Sequence, residues 1–524
     1  MKEEVDLIIK NAKIYTVDKN FSIMDEIAIK DGKVIAIGNA SQILDNYKSD
    51  NILNAKAKPV FPGFIDSHCH FYGYGLSLQQ IDLTGTSSFD EVVTKLISIE
   101  AKSDGWIIGR GWDQNDWETQ EFPDKTILDS LFPNTPVFIK RIDGHAALVN
   151  QKALEIAGIT INTQVKGGVI SKKEKEITGI LLDNAIDLVS IKIPLPSSQL
   201  RAKALMDAEK ACLSVGLTTV DEAGLNKDII TLIDSMHNNL SLKIRIYAML
   251  NPTDENFSYF EDTGIIEKDK LTIRSFKLYA DGALGSRGAA LLDPYSDDNT
   301  NHGLFLNTPE YISSNAKRIY DMGFQLNTHC IGDAANRMVL NIYGDQLKGN
   351  NNNRWRIEHA QVIHPNDLNL FGKFNIIPSV QPTHATSDMY WAEDRLGKHR
   401  MASAYAYKQL MGQNNLIVNG SDFPVESINP LYGFYAAISR MDLHGYPENG
   451  FQAENALSRQ EALKAMTIWA AYANFEENQK GSLEPGKYAD FVILEKDIIE
   501  IPLKEIPKVK VLKTFINGEL VFAR

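Results

Sequence analysis

The chain has 524 residues, 44% hydrophobic and 23% charged, which is too long for a minimal domain and ordinary for a globular protein. Its 54 Lys+Arg against 67 Asp+Glu give a net charge of −13, which argues against nucleic acid as the main partner, because phosphate binding needs a basic surface. It contains no run of about 18 apolar residues, so no membrane span is expected. The length fits one large barrel with insertions, or roughly two to four ordinary domains. Met1-Lys-Glu-Glu-Val-Asp6 carries acids and does not read as a signal peptide. Cys69, Cys212 and Cys330 are odd in number and far apart, so a reducing cytoplasm is expected rather than a disulfide framework.

Residues 5–58 read as short strands with turns, including Glu26-Ile-Ala-Ile29 and Lys33-Val-Ile-Ala-Ile37 across an Asp31-Gly32 hairpin signal. Next comes Pro59-Val-Phe-Pro-Gly-Phe-Ile-Asp-Ser-His-Cys-His-Phe71, in which the apolar run Val60 to Ile65, broken by Pro62 and Gly63, leads to His68-Cys69-His70. Alternation along a strand points His68 and His70 the same way, and two imidazoles side by side form half of a metal site. The plain alternative is two structural histidines, each satisfied by a hydrogen bond. Cys69 and Cys330 each adjoin a candidate ligand histidine and are expected to pack on the opposite face.

The span 79–207 fits no single βα unit and reads as a long insertion. It holds the Trp-rich Gly109-Arg-Gly-Trp-Asp-Gln-Asn-Asp-Trp117, then Phe138 to Asn150, then a helical run ending near Ser190. Beyond it, β-type runs begin at Leu217, Leu242, Ile273, Phe324, Trp355, Ile376 and Leu416, with helices such as Glu310 to Met322 and Pro365 to Phe374 between them. With the opening strand they suggest βα units in a (β/α)₈ barrel, residues 59–479, and the insertion would then cover the barrel mouth. The Asn-rich Lys348 to Arg354 reads as a solvated turn. No fixed-period repeat is present. Tyr488 to Leu494 and Lys510 to Phe522, with an Asn517-Gly518 turn, are again short strands. The two end pieces, 1–58 and 480–524, are expected to pair into one β unit, because chain ends often lie close together.

Ligand-type residues fall near the carboxyl ends of five proposed strands: His68 and His70 on the first, Lys277 on the fourth, His329 on the fifth, His359 on the sixth and Asp422 on the eighth. Parallel barrel strands bring such ends to one mouth. Histidine nitrogens with a carboxylate suit zinc, and manganese or ferrous iron less well. Singly, Asp422 reads equally as a helix cap, His359 as a core histidine, and Lys277 as a lysine paired with Asp281.

Several motifs resemble those of the amidohydrolase superfamily, and within it the amidohydrolase-3, YtcJ-like group. They are Pro62-Gly-Phe-Ile-Asp-Ser-His-Cys-His70, Lys277-Leu-Tyr-Ala-Asp-Gly-Ala-Leu-Gly-Ser-Arg287, His329-Cys-Ile-Gly-Asp333, Arg356-Ile-Glu-His-Ala360, Asn419-Gly-Ser-Asp-Phe-Pro424 and Gly481 to Asp490. The resemblance spans nearly the whole chain. It implies an α/β fold, a (β/α)₈ TIM barrel with a small composite β-sandwich from both termini. It implies one or two divalent metals, with His68, His70 and Asp422 on the first, His329 and His359 on the second, and Lys277 bridging them as a carbamate. The implied reaction is hydrolysis of a small molecule's amide-type C–N bond by metal-activated hydroxide, with Asp422 as general acid and base. His145 matches a recurring family segment; with Trp112, Asp113, Arg287 and His384 it is a candidate substrate contact. The family's barrels commonly dimerise, so a homodimer is an expected assembly. Two rivals stand beside this reading: a single-metal deaminase or deformylase of the same superfamily, and a scaffold that keeps the barrel without catalysis.

Overall fold

The structure is a computed structural model that describes residues 2–98, 105–349 and 351–524. Residues 99–104 of the expected insertion and Asn350 of the Asn-rich stretch lie outside the described residues.

Eight parallel strands follow one another around a barrel in chain order. Barrel strands 1 to 4 are Phe64–Cys69, Leu217–Leu225, Arg245–Leu250 and Leu271–Tyr279. Barrel strands 5 to 8 are Gln325–Cys330, Arg356–His359, Ile377–Val380 and Val418–Asn419. The eighth returns to the first beyond its short ladder: Asp422 N–H donates to the His68 carbonyl at 2.7 Å, and His70 N–H donates to the Phe423 carbonyl at 2.8 Å. The barrel is thus nearly closed. Strands 1, 3 and 5 are buried along their whole length, as strands covered on both faces must be. The outer helices follow from their apolar spacing. Pro309–Asp321 buries Ile312, Ala316 and Ile319, one per turn, and Thr308 accepts from the Tyr311 N–H to cap it.

The apolar run from Val60 to Ile65 is divided at Pro62-Gly63, where the sequence places its break. Val60–Pro62 ends the strand Ile52–Pro62, which lies between Leu7–Tyr15 and Phe491–Leu494 in an eight-stranded sheet built from both ends of the chain. Only Phe64 onward enters the barrel. Barrel strand 1, which carries His68, is therefore a direct continuation of this terminal sheet.

Arg245, at the start of barrel strand 3, ties the two units together. Its buried guanidinium donates to Asp490 at 2.6 and 3.1 Å and to Asp269 at 3.0 Å, and lies 3.9 Å from the Tyr488 ring centre. The Lys487-Tyr-Ala-Asp490 motif thus has a mechanical role.

Between barrel strands 1 and 2 lies a separate six-stranded sheet running from Ile81–Asp82 to Glu176–Asp183. It has an apolar cluster on each face, one around Trp112, Trp117 and Ile139, the other around Trp106, Phe138 and Val149. The insertion boundary expected at residue 207 falls inside the helix Ser198–Ser214, which leads straight into barrel strand 2. That helix packs on Phe71–Ser77 so closely that a Cβ at Gly75 would sit 2.1 Å from the Ala204 carbonyl.

Asp490→Ala leaves the Arg245 guanidinium buried without its closest acid. The expected loss is about 3 kcal/mol, read as a lowered urea midpoint at unchanged slope. An unshifted midpoint would show that the two units are not coupled through this pair.

Candidate metal centre

The two seam hydrogen bonds bring the ends of barrel strands 1 and 8 into register, and the first ligand group sits on that seam. Its Asn419-Gly-Ser-Asp422 motif has a steric reason. A Cβ at Gly420 would lie 2.5 Å from the His68 nitrogen, so only glycine lets the two backbones approach. His70 Nε2 lies 3.2 Å and His68 Nε2 3.5 Å from Asp422 Oδ1. One donor atom from each of the three falls within 4.8 Å of the others. Asp422 Oδ1 is buried and makes no hydrogen bond, although both nitrogens face it. Three donor atoms turned on one another with no proton shared between them fit a common cation.

The protonation states suit that role. Burial lowers the His70 ring to about 4 and pushes His329 and His359 well below their ordinary value, so all three rings are neutral at pH 7, the form able to bind a metal. Burial alone would raise the Asp422 carboxyl, but the adjoining His70 and His68 rings outweigh it and hold it well below the usual range. His68 is oriented from behind by Glu358, whose Oε2 lies 2.6 Å from Nδ1. A proton held between those two atoms leaves Nε2 to face the cavity side.

Lys277, on barrel strand 4, places Nζ 3.3 Å from His68 Nε2 and 4.6 Å from the Tyr279 ring centre. Burial lowers its pKa. Asp281, the acid suggested as its partner, accepts instead from the N–H groups of Ala290, Ile331 and Gly332 at 2.8 to 3.0 Å. Among the described residues no ion pair joins Lys277 to an acid. His359 and His329 continue the group: their ring centres are 4.5 Å apart, and His359 is 4.9 Å from His68. The His359 ring is steadied by Gln381, 2.8 Å from Nδ1. His359 at φ +72° and Asp422 at φ +61° both hold left-handed backbone, a strained conformation typical of functional positions.

These ligands open into a cavity of about 1330 Å³ between barrel and insertion, bordered by His70, Lys277, His329, His359 and Asp422. The insertion contributes His145, whose Nδ1 lies 2.7 Å from Asp183 Oδ1 and whose ring is 5.3 Å from that of His329. Asp183 rests on Gly282, where a Cβ would come within 2.8 Å of its carboxylate. Asp113 borders the cavity and pairs with Arg141 at 2.5 Å. His384 also borders it, on the helix Pro382–Asp388 that Pro382 starts just after barrel strand 7. Two expected substrate contacts lie elsewhere. Trp112 is enclosed in the insertion core with its indole N–H on the Ile139 carbonyl, and Arg287 pairs with Asp297 at 2.9 Å outside the cavity lining. The three cysteines are buried thiols.

Glu358, Gln381 and Asp183 were not singled out from the sequence. Glu358 directly precedes His359, and strand alternation assigns neighbours to opposite faces. The left-handed turn at His359 breaks that rule and lets both residues reach the interior.

Comparison with known proteins agrees with this geometry. The family model described as "Amidohydrolase family" matches residues 51–522. The chain is 33% identical to Protein LONG AFTER FAR-RED 3 of Arabidopsis thaliana, over 99% of this chain and 91% of that one. It is 31% identical to a putative amidohydrolase, YtcJ, of Bacillus subtilis (98% of each). It is 25% identical to N-substituted formamide deformylase of Arthrobacter pascens (100% and 99%). The crystal structure of an uncharacterized metal-dependent hydrolase from Pyrococcus horikoshii superposes with a TM-score of 0.78 at 27% identity, covering 95% of this chain and 99% of that one.

Glu358→Gln keeps an oxygen facing His68 Nδ1 and removes the charge behind it. Metal affinity, titrated against a competing chelator, is expected to fall about 10- to 100-fold. Equal affinity would mean that His68 does not depend on Glu358.

Proposed function

The chain belongs to the amidohydrolase family, and we propose that it hydrolyses an amide-type C–N bond of a small molecule, using divalent metal held at the mouth of its barrel. The observation that carries this reading is the convergence of His68, His70 and Asp422 around a buried carboxylate oxygen without a hydrogen bond. The name of the formamide-deformylase relative supports an N-acyl or N-formyl amine as the substrate type.

His68, His70 and Asp422 would hold one ion and His329 and His359 a second; the imidazole and carboxylate donors suit zinc. A bound divalent ion supplies Lewis acidity and lowers the pKa of water toward about 7. Asp422, ionised and bordering the cavity, takes the proton from the attacking water on a carboxylate oxygen and delivers it to the leaving nitrogen. Burial lowers the Lys277 pKa and so favours the neutral amine, the form that can add carbon dioxide and release a proton. The resulting carbamate would offer two oxygens sharing one negative charge as further ligands. His145, steadied by Asp183, and His384, whose buried Nε2 has no hydrogen-bond partner, are positioned to contact the substrate. A single-metal enzyme is the second reading. It is favoured by the fact that, among the described residues, His68, His70 and Asp422 converge as a ligand group without His329 and His359.

Metal content per chain, measured beside hydrolysis of N-acyl and N-formyl amines, tests the proposal. Two equivalents with activity are expected, falling to one in Lys277→Ala. One equivalent with activity would select the second reading. No metal after zinc is added back would overturn both. Asp422→Asn is expected to lower turnover about 10²- to 10⁴-fold with the fold retained; unchanged turnover at full metal would remove Asp422 from the proton transfer.

A further inference from the structure

Two cations in the cavity wall have no role in the chemistry proposed above. Arg110 and Lys140 lie on adjacent parallel strands of the insertion, Ile107–Trp112 and Val137–Arg141, and are register partners. Strands pair about 4.8 Å apart, and partners in register point to the same face, so the two side chains stand side by side. Both border the same cavity as the metal-ligand residues.

Among the described residues, neither side chain forms an ion pair with an acid. Arg110 is held by one hydrogen bond, from Nη2 to the Ile142 carbonyl at 2.6 Å, while its buried Nε has no partner. Among the described residues, no hydrogen bond or ion pair reaches the Lys140 ammonium. Asp143 is engaged by Arg141 at 2.5 Å, and Asp187 acts on Lys140 only at longer range. Burial, and then the neighbouring Arg110 charge, lower Lys140 to about 8, so most of it remains protonated at pH 7. Two like charges held side by side and partly dehydrated are unfavourable unless an anion joins them.

The pair also faces the reaction centre. The Arg110 guanidinium lies against Gly144, with Nη1 3.6 Å from where a Cβ there would be, and Gly144 precedes His145. Asp422 is among the charges that act on Arg110.

We propose that Arg110 and Lys140 form an anion subsite that receives a carboxylate of the substrate, so that the preferred substrate is an N-acyl or N-formyl amine bearing an acid group. This inference rests on the proposed function for the placement of the scissile bond in the cavity. The binding test does not depend on turnover.

The experiment is calorimetric titration of the metal-loaded protein with an N-acyl amino acid and with its methyl ester. Parallel titrations use Lys140→Gln and Arg110→Gln. The wild-type protein is expected to bind the acid at least about tenfold more tightly than the ester, and each variant to lose most of that preference while binding the ester unchanged. Equal binding of acid and ester by the wild type would overturn the subsite. So would a preference that survives in both variants, since the metal alone would then account for it. Tighter binding of a matched phosphomonoester than of the acid would overturn the carboxylate assignment. If the acid binds with the expected preference and no substrate in the panel is hydrolysed, the subsite stands and the hydrolase reading fails.

Discussion

Two backbone hydrogen bonds, from Asp422 N–H to the His68 carbonyl and from His70 N–H to the Phe423 carbonyl, set the geometry on which the site depends. A barrel of eight strands has one seam where the last strand meets the first. Here the seam and the ligand group coincide. The three side chains that face one another leave the backbone within two residues of these bonds, so closing the barrel assembles the site. Gly420 is the steric condition for it, since any side chain there would strike His68. A ligand group on a seam is more rigid than one on free loops, because displacing a ligand also opens the sheet.

Around that seam the polar groups are arranged in two layers. The inner layer holds the His70, His329 and His359 rings, which burial keeps neutral, and the Asp422 carboxylate, which the adjoining rings keep ionised. The outer layer is Glu358 behind His68, Gln381 behind His359 and Asp183 behind His145. Each fixes a ring orientation by occupying one nitrogen. Leaving such a partner buried would be costly without the ring it serves, so the two layers hold each other in place.

Much of this was legible in the sequence. Eight apolar runs, five of them carrying ligand-type residues near their carboxyl ends, are a long-range regularity that parallel strands impose, and it survives uncertainty in any one strand end. The terminal pieces were legible through their hairpin turns. Two things were not, each for a physical reason. Glu358 was hidden by strand alternation, which the left-handed backbone at His359 suspends. Trp112 and Arg287 were misjudged because a large aromatic or a cation beside a motif suggests a ligand contact. The structure uses the first to fill the insertion core and the second to pair with Asp297.

The insertion is joined to the barrel between its first two strands and packs around apolar clusters of its own. Its cavity wall carries Arg110, Asp113, Lys140 and His145, and none of the six ligand-type residues. The two halves of the cavity are thus under separate constraints. Barrel closure fixes the reactive end, while the wall opposite can change its charge and shape without disturbing that closure. One reactive centre with an exchangeable roof is a route by which relatives sharing the whole fold diverge in what they accept, with altered selectivity arising by change in a region that bears little of the barrel's stability.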